Sequence, residues 1–370
     1  WATAILFWEG SDSVRNTVAA TGGGNIVMNG TAAGTGANTY SYDLDNADIF
    51  VKGAGTITMS GNRGFWFNRY TSGKVNLGAS STESTSGAIT LSGGRLTAYS
   101  TLPVNFKTTG DVTLQPMTGA SSFLEGVSFP SGQSTFTGVN NLTVGKDGNN
   151  QNITLNATTG MKSLSVYGQD LTLAGDVNVS MATKTSDGFM AKALGHIEQS
   201  ANVDITTAGG RATLWARSGV ADSSTTTYGK IWLKDSTTIT TNGGDIRLAG
   251  SSNQTAGYPT GHALSNTTGS SGVRLGETTS LVNSVKLLSG GATGTAGGDI
   301  LINGQSTSSS SWGVSSYGGV QVNSGLGRIA IDGVAAGGDD GIEFMNSSAA
   351  PTFTSAAVDD AVPAIKITGA

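Results

Sequence analysis

Gly297-Gly298-Asp299-Ile300-Leu301-Ile302-Asn303-Gly304 decides how the rest of the chain is read. A glycine pair leads into a short strand whose Ile300 and Ile302 share one face, while Asp299, Leu301 and Asn303 share the other. Gly304 then lets the backbone turn away. The same unit recurs at Gly24 (Ile26, Met28), Gly55 (Ile57, Met59), Gly87 (Ile89, Leu91), Gly110 (Val112, Leu114), Gly244 (Ile246, Leu248) and Gly327 (Ile329, Ile331). Shorter copies such as Leu171-Thr172-Leu173 and Val273-Arg274-Leu275 keep only the inward–outward–inward triplet of a half-buried strand.

With a further copy at Gly73 (Val75, Leu77), spacing between units is irregular: 18 residues from Gly55 to Gly73, 14 from Gly73 to Gly87 and 23 from Gly87 to Gly110. That excludes strict hexapeptide or nonapeptide solenoids. It predicts an all-β chain, a right-handed parallel β-helix of irregular coil length, with two or three strands per coil. About 15 coils at ~4.8 Å each would extend on the order of 70–80 Å. Loops such as Ser251 to Thr260 and Ser289 to Ala296 should protrude from one edge. An antiparallel sandwich would join matched strands by Asn-Gly hairpins. Asn29-Gly30 and Asn303-Gly304 keep that alternative in view, but one-sided apolar rows behind glycine are what stacking of like coils requires. Asp187 to Gln199 departs from the pattern and is read as two strands, Phe189 to Ala193 and His196 to Gln199, rather than a short helix.

Composition agrees. Glycine supplies 56 of 370 residues and charged residues only 12%, so Ser, Thr, Asn and Gly must build the surface. This is poor material for helices and good material for short strands and tight turns. Twenty basic against twenty-five acidic residues, without a basic cluster, give no footprint for nucleic acid. No apolar run approaches the ~20 residues needed to span a bilayer, so no membrane insertion of this segment is expected. Cysteine is absent, and stacked coils close their core without it. The opening Trp1-Ala2-Thr3-Ala4-Ile5-Leu6-Phe7-Trp8 lacks the form of a signal peptide and reads as the cut end of a longer protein.

Units such as Thr241-Asn242-Gly243-Gly244-Asp245-Ile246-Arg247-Leu248-Ala249-Gly250 and Gly327-Arg328-Ile329-Ala330-Ile331-Asp332-Gly333 resemble the repeats of filamentous-haemagglutinin-like secreted bacterial adhesins. The resemblance covers most of the chain and implies a right-handed parallel β-helical shaft, exported by a partner transporter to the cell exterior. That family's secretion domain carries Asn-Pro-Asn-Gly-type motifs. No Asn-Pro occurs here, so the resemblance implies shaft rather than secretion domain. Residues 1–23 are expected to form a cap or assembly segment and residues 24–370 a continuous shaft. Trp1, Ile5, Leu6, Phe7 and Trp8 would cover the first coil or dock end to end on a neighbouring copy.

Each candidate for chemistry meets a plainer account. Gly338-Asp339-Asp340-Gly341 is similar to the Asp-Asp pair of β-helical pectin hydrolases, but Asn-Thr-Asp, Gly-His-Gly and Arg-Ile-Lys are missing, which leaves a solvated turn. Asp359-Asp360 is weaker still. His196 and His262 have no Cys or second His at ligand spacing, and no Gly-x-Ser-x-Gly elbow marks a Ser-His-Asp triad. Asp43, Asp45 and Asp48 could ligate calcium in a loop, although an acidic polar loop accounts for them. No catalytic residue, metal or cofactor is therefore assigned. Phe65, Trp66, Phe67, Arg69 and Tyr70 form the candidate stacking platform for a sugar ring, against the plainer account of Phe65 and Phe67 in the core. Outward threonines such as Thr56 and Thr58 follow from strand preference, in rows broken by other residues.

The expectation is a non-enzymatic, secreted or surface-anchored shaft for attachment, biofilm cohesion or fibre formation. Its partners would be other copies of itself and host or matrix glycans. The alternatives are a tailspike- or pectinase-like polysaccharide-binding or -cleaving β-helix, and a self-assembling sheath without a ligand.

Overall fold

The computed structural model describes residues 2–7, 15–36, 38–67, 73–80, 85–98, 103–130, 134–282, 284–291, 296–336, 340–346, 348–358 and 361–370. Every regular element among them is a strand, and no helix is long and apolar enough to cross a membrane. The chain divides into two units, residues 1–167 and 168–370, and each is by itself a parallel β-helix with three strands to the coil.

In the first unit one face stacks Ala2–Phe7, Thr39–Leu44, Phe65–Phe67 and Leu96–Ala98. A second stacks Asn16–Ala20, Ala47–Val51, Val75–Gly78, Val104–Lys107 and Thr135–Thr137. A third stacks Ile26–Gly30, Ile57–Gly61, Ile89–Gly93, Val112–Gln115, Val139–Val144 and most of Thr158–Gly168. The second unit repeats the plan. Leu171–Leu173, Ile197–Gln199, Ile231–Leu233, Ser271–Leu275, Trp312–Tyr317 and Ile342–Met345 make one of its faces. Coil length varies widely: partnered residues are 22 apart at Leu142 and Leu164 and 48 apart at Ile239 and Leu287.

In-register stacking turns the period-two pattern into continuous apolar columns. Ile26, Ile57, Ile89, Val112, Leu142 and Leu164 are successive partners on the third face of the first unit, and all are buried. Ile246, Ile300 and Ile329 do the same in the second unit, with Leu248, Ile302 and Ile331 alongside. Aromatic rings stack as well: Tyr42 on Phe65 at 4.7 Å and Phe106 on Phe136 at 5.2 Å between centroids. The Tyr42 hydroxyl lies 2.6 Å from the Met28 carbonyl oxygen and 2.9 Å from that of Ser60, and burial pushes its pKa up to about 12.

The glycine-led pattern has a steric cause. A Cβ on Gly87 would lie 1.8 Å from the Gly55 carbonyl oxygen, one on Gly298 2.0 Å from that of Gly244, and one on Gly327 2.1 Å from that of Gly298. Within each unit such glycines stack at the corner before the strands they lead, where the backbones of adjacent coils approach too closely for any side chain. Buried hydroxyls finish that corner. Thr207 donates to the Gly210 carbonyl, Thr241 to Gly244, Ser289 to Gly298 and Ser324 to Gly327, the last across 2.7 Å. Each supplies a buried carbonyl with a donor that water cannot reach.

Four expectations change. Among the described residues fewer coils are present than about 15, because glycine-led units counted separately share a coil; Val75–Gly78 and Ile89–Gly93 lie on different faces of the same one. The boundary at residue 23 does not separate a cap from the stack, since Ala2–Phe7 and Asn16–Ala20 pair in register with Thr39–Leu44 and Ala47–Val51 as strands of the first coil. Ser251 to Thr260 is not a bare loop: Ile246–Thr255 and Tyr258–Gly261 form an antiparallel hairpin, whose Tyr258 ring covers the Arg211 guanidinium at 4.2 Å. Outward threonines do form an unbroken row in the first unit, Thr58, Thr90, Thr113 and Thr143, followed by Ser165. In the second unit Thr238 meets Lys286 and then Gln321, so the row there is broken.

Candidate functional site

Any outward residue of one coil sits beside its counterpart on the next, so a polar residue repeated at one position becomes a ladder. On the second face of the first unit this row reads Asp48, Asn76, Asn105, Thr135. The Asn76 amide donates to Asp48 at 2.5 Å, that of Asn105 to Asn76 at 2.7 Å, and the Thr135 hydroxyl to Asn105 at 2.6 Å. The donors all point the same way along the stack and terminate on a carboxylate.

The adjacent row reads Phe50, Gly78, Lys107, Thr137. Gly78 has φ +113° and a Cβ there would lie 2.1 Å from the Lys107 carbonyl oxygen, so the row lacks a side chain at this coil. The gap helps to open a groove of about 720 Å³ between the Asp48–Thr135 ladder and the Ala79–Ser80 segment. Arg15 closes one end. Its guanidinium grips both oxygens of Asp48 at 2.6 and 2.7 Å and donates to the carbonyls of Ala47 and Lys74 at 3.1 and 3.0 Å. Burial would raise the Asp48 carboxyl, but hydrogen bonds from Arg15 and Asn76 with the charges of Arg15 and Lys74 hold it below its ordinary range. Lys74 and Lys107 line the groove as exposed ammonium groups, the latter 3.4 Å from the Ser80 carbonyl oxygen.

The residues singled out in the sequence fall as follows. Phe65 and Phe67 are in the core, 0% and 5% exposed, so neither offers a ring face to a sugar. Trp66 projects outward, half-buried and tilted against Tyr40 at 4.8 Å. Arg69 and Tyr70 lie outside the described residues, as do Trp1, Trp8, Asp339, Asp359 and Asp360. Ile5 and Phe7 are half-buried and Leu6 is 54% exposed on the first-coil strand. Asp340 is exposed. Asp43 and Asp45 are buried while Asp48 faces outward to Arg15, and no group of three metal-binding side chains occurs among the described residues.

The histidines are occupied by other partners. His262 Nδ1 lies 2.9 Å from Asp222 and Nε2 3.3 Å from Asp332, which leaves neither ring nitrogen for a serine. The Asp222 hydrogen bond raises the imidazole pKa, against burial. Burial pulls His196 below its usual value, and its Nδ1 accepts the Lys230 backbone N–H at 3.0 Å.

Sequence reasoning missed both the groove and an outward row in the second unit: Glu198, Trp232 and Arg274, successive partners on one face. Lys230, Lys234 and Arg274 lie 5.1, 4.9 and 5.0 Å from the Trp232 ring centroid, and Arg274 also covers Tyr317 at 4.2 Å. Those rings are already paired with cations. The signal for either row is the outward-facing residue of each strand, and it is visible only once the coil register is known.

No family model, curated protein or solved structure matches the chain.

Proposed function

We propose that the chain is part of an adhesive β-helical shaft, secreted or held at the outer surface of a bacterium, as its filamentous-haemagglutinin-like repeats suggest. The observation that supports this most is the open groove on the second face of the first unit, floored by the Asp48–Asn76–Asn105–Thr135 ladder. A ladder that sets an amide or a hydroxyl on three successive coils suits a ligand that is itself a repeating polar chain, which is the chemistry of a surface or matrix glycan. What favours binding over cleavage is the state of Asp48. Glycoside hydrolysis uses two carboxyl groups facing the scissile bond. Asp48 is the carboxylate of the groove's described lining, and both of its oxygens are held by Arg15.

Beads coated with the purified chain, washed over a panel of glycan- and matrix-coated surfaces, test the adhesive reading. It expects retention on at least one surface above beads coated with an unrelated protein. Retention on none would overturn it.

A further inference from the structure

We infer that the groove is built for an extended polyanionic glycan, a linear uronic-acid polysaccharide running from coil to coil with its carboxylates on Lys74 and Lys107. This deepens the adhesive reading and rests on it. Three observations carry the assignment, and each bears on a different property of the ligand.

The first is charge. The chain as a whole carries −5, yet the groove's described lining sets Arg15, Lys74 and Lys107 against the single carboxylate of Asp48. Arg15 is spent on Asp48, to which it is bidentate, so the lysines are the groups available to a ligand. A net positive groove on a net negative protein attracts anions and concentrates them locally.

The second is spacing. Asp48 to Thr135 covers four adjacent strands, about 14 Å across three strand separations. A pyranose unit is close to one strand separation in length, so a sugar chain laid along the stack presents one ring to each coil. Asn76 and Asn105 use one donor and one acceptor each within the ladder, and each keeps a second N–H for a sugar hydroxyl.

The third is what the lining lacks as a nucleic-acid channel. Single-stranded nucleic acid is held by successive aromatic platforms on which bases stack. Here Phe50 is the one aromatic ring of the described lining, placed at one end; apart from the Arg15–Asp48 pair and the Ala79 methyl group, the remaining side chains are amides, hydroxyls and the two lysines.

The test is calorimetric titration of the full chain with four polymers: polygalacturonate, the same polymer fully methyl-esterified, polyphosphate and oligodeoxythymidylate. Polygalacturonate is expected to bind, with affinity falling as salt rises, and esterification to weaken it at least tenfold. K74E/K107E should weaken it at least tenfold as well, with an unchanged circular dichroism spectrum. K162E, at an exposed lysine of the same unit outside the lining, should leave binding as it is. Equal affinity for the ester, no effect of K74E/K107E, tighter binding of polyphosphate or the oligonucleotide, or no binding of polygalacturonate would each overturn the assignment. If the titration fails while coated beads are still retained on a surface, adhesion stands and uses another face. If both fail, the adhesive reading falls too.

Discussion

The Asn105 side-chain amide donates to the Asn76 side-chain oxygen across 2.7 Å, from one coil to the next. Asn76 passes the polarity on to Asp48. A residue that both accepts and donates cannot be replaced by one that only accepts. Asn76→Ala is expected to cost about 1 kcal/mol, since water reaches the half-buried site and partly replaces the lost bonds. Asn76→Asp should cost more, because it removes the donor and sets a second carboxylate beside Asp48. Amide exchange of Val75–Gly78 and Val104–Lys107, the strands that bear the ladder, should accelerate in the same order. Equal exchange in the two variants would contradict the ladder.

The glycine column gives a steric contrast. Gly87→Ala puts a methyl group 1.8 Å from a backbone oxygen that cannot move without its whole coil, whereas a methyl group on Gly22 would meet nothing within 4 Å. Gly87→Ala should destabilise the first unit by about 3 kcal/mol or more, and Gly22→Ala should stay within about 0.5 kcal/mol of the parent. Urea denaturation measures both. Similar midpoints for the two variants would mean that the coils do not approach as closely as the column requires.

Thr241 tests the hydroxyl corner. It is fully buried and donates to the Gly244 carbonyl. Thr241→Val keeps the shape and strands that oxygen, at an expected cost of about 1–3 kcal/mol. Thr241→Ser keeps the donor and should lose less. The order of the two urea midpoints decides the matter, and a valine variant as stable as the serine one would refute the role.

His262 fastens the end of the hairpin through Asp222 at 2.9 Å and Asp332 at 3.3 Å, with the buried Arg217 4.0 Å from Asp222. The Asp222 hydrogen bond raises the imidazole pKa although burial opposes it. That stabilisation is full below the unfolded histidine value and is lost as pH rises through the raised folded value. For Asp222, burial works upward, but hydrogen bonds from the His262 side chain and backbone hold it low. Its contribution is present above the ordinary carboxylate range and is lost as pH falls through the folded value. The fastening is therefore strongest in mildly acidic solution. The stability difference between the parent and His262→Gln should be largest near about pH 5.5–6 and shrink toward about pH 8.5. A difference independent of pH would contradict the fastening.

The strands were legible because Ile-x-Ile behind glycine has one physical solution, an apolar row facing in and a corner with no room for Cβ. Phe189 to Ala193 and His196 to Gln199 depart from that pattern, yet read as strands they are strands, Asp187–Ala193 and Ile197–Gln199. The outer surface was not. Trp232 and Arg274 are partners, as are Asp48 and Asn76, but the intervening lengths differ and nothing local fixes them. Register depends on how many strands make a coil and how long each corner is, and both are set by packing across the whole stack. Phe65 and Phe67 kept two readings open because an aromatic cluster reads the same whether its rings fill a core or face a ligand; their burial, with Phe65 stacked on Tyr42 and Phe67 on Phe65, puts both in the core.

In-register coil stacking underlies the ladders, the groove and the glycine columns alike, and the absence of cysteine makes it directly testable. Thr90 and Thr113 are partners on adjacent coils, while Thr143 lies one coil further on. Paired cysteines at 90 and 113, treated with a two-carbon thiol-to-thiol linker, should cross-link within the chain far faster than paired cysteines at 90 and 143. Fast linking of the first pair and none of the second is the result this arrangement predicts; equal linking, or linking of the distant pair alone, would contradict it.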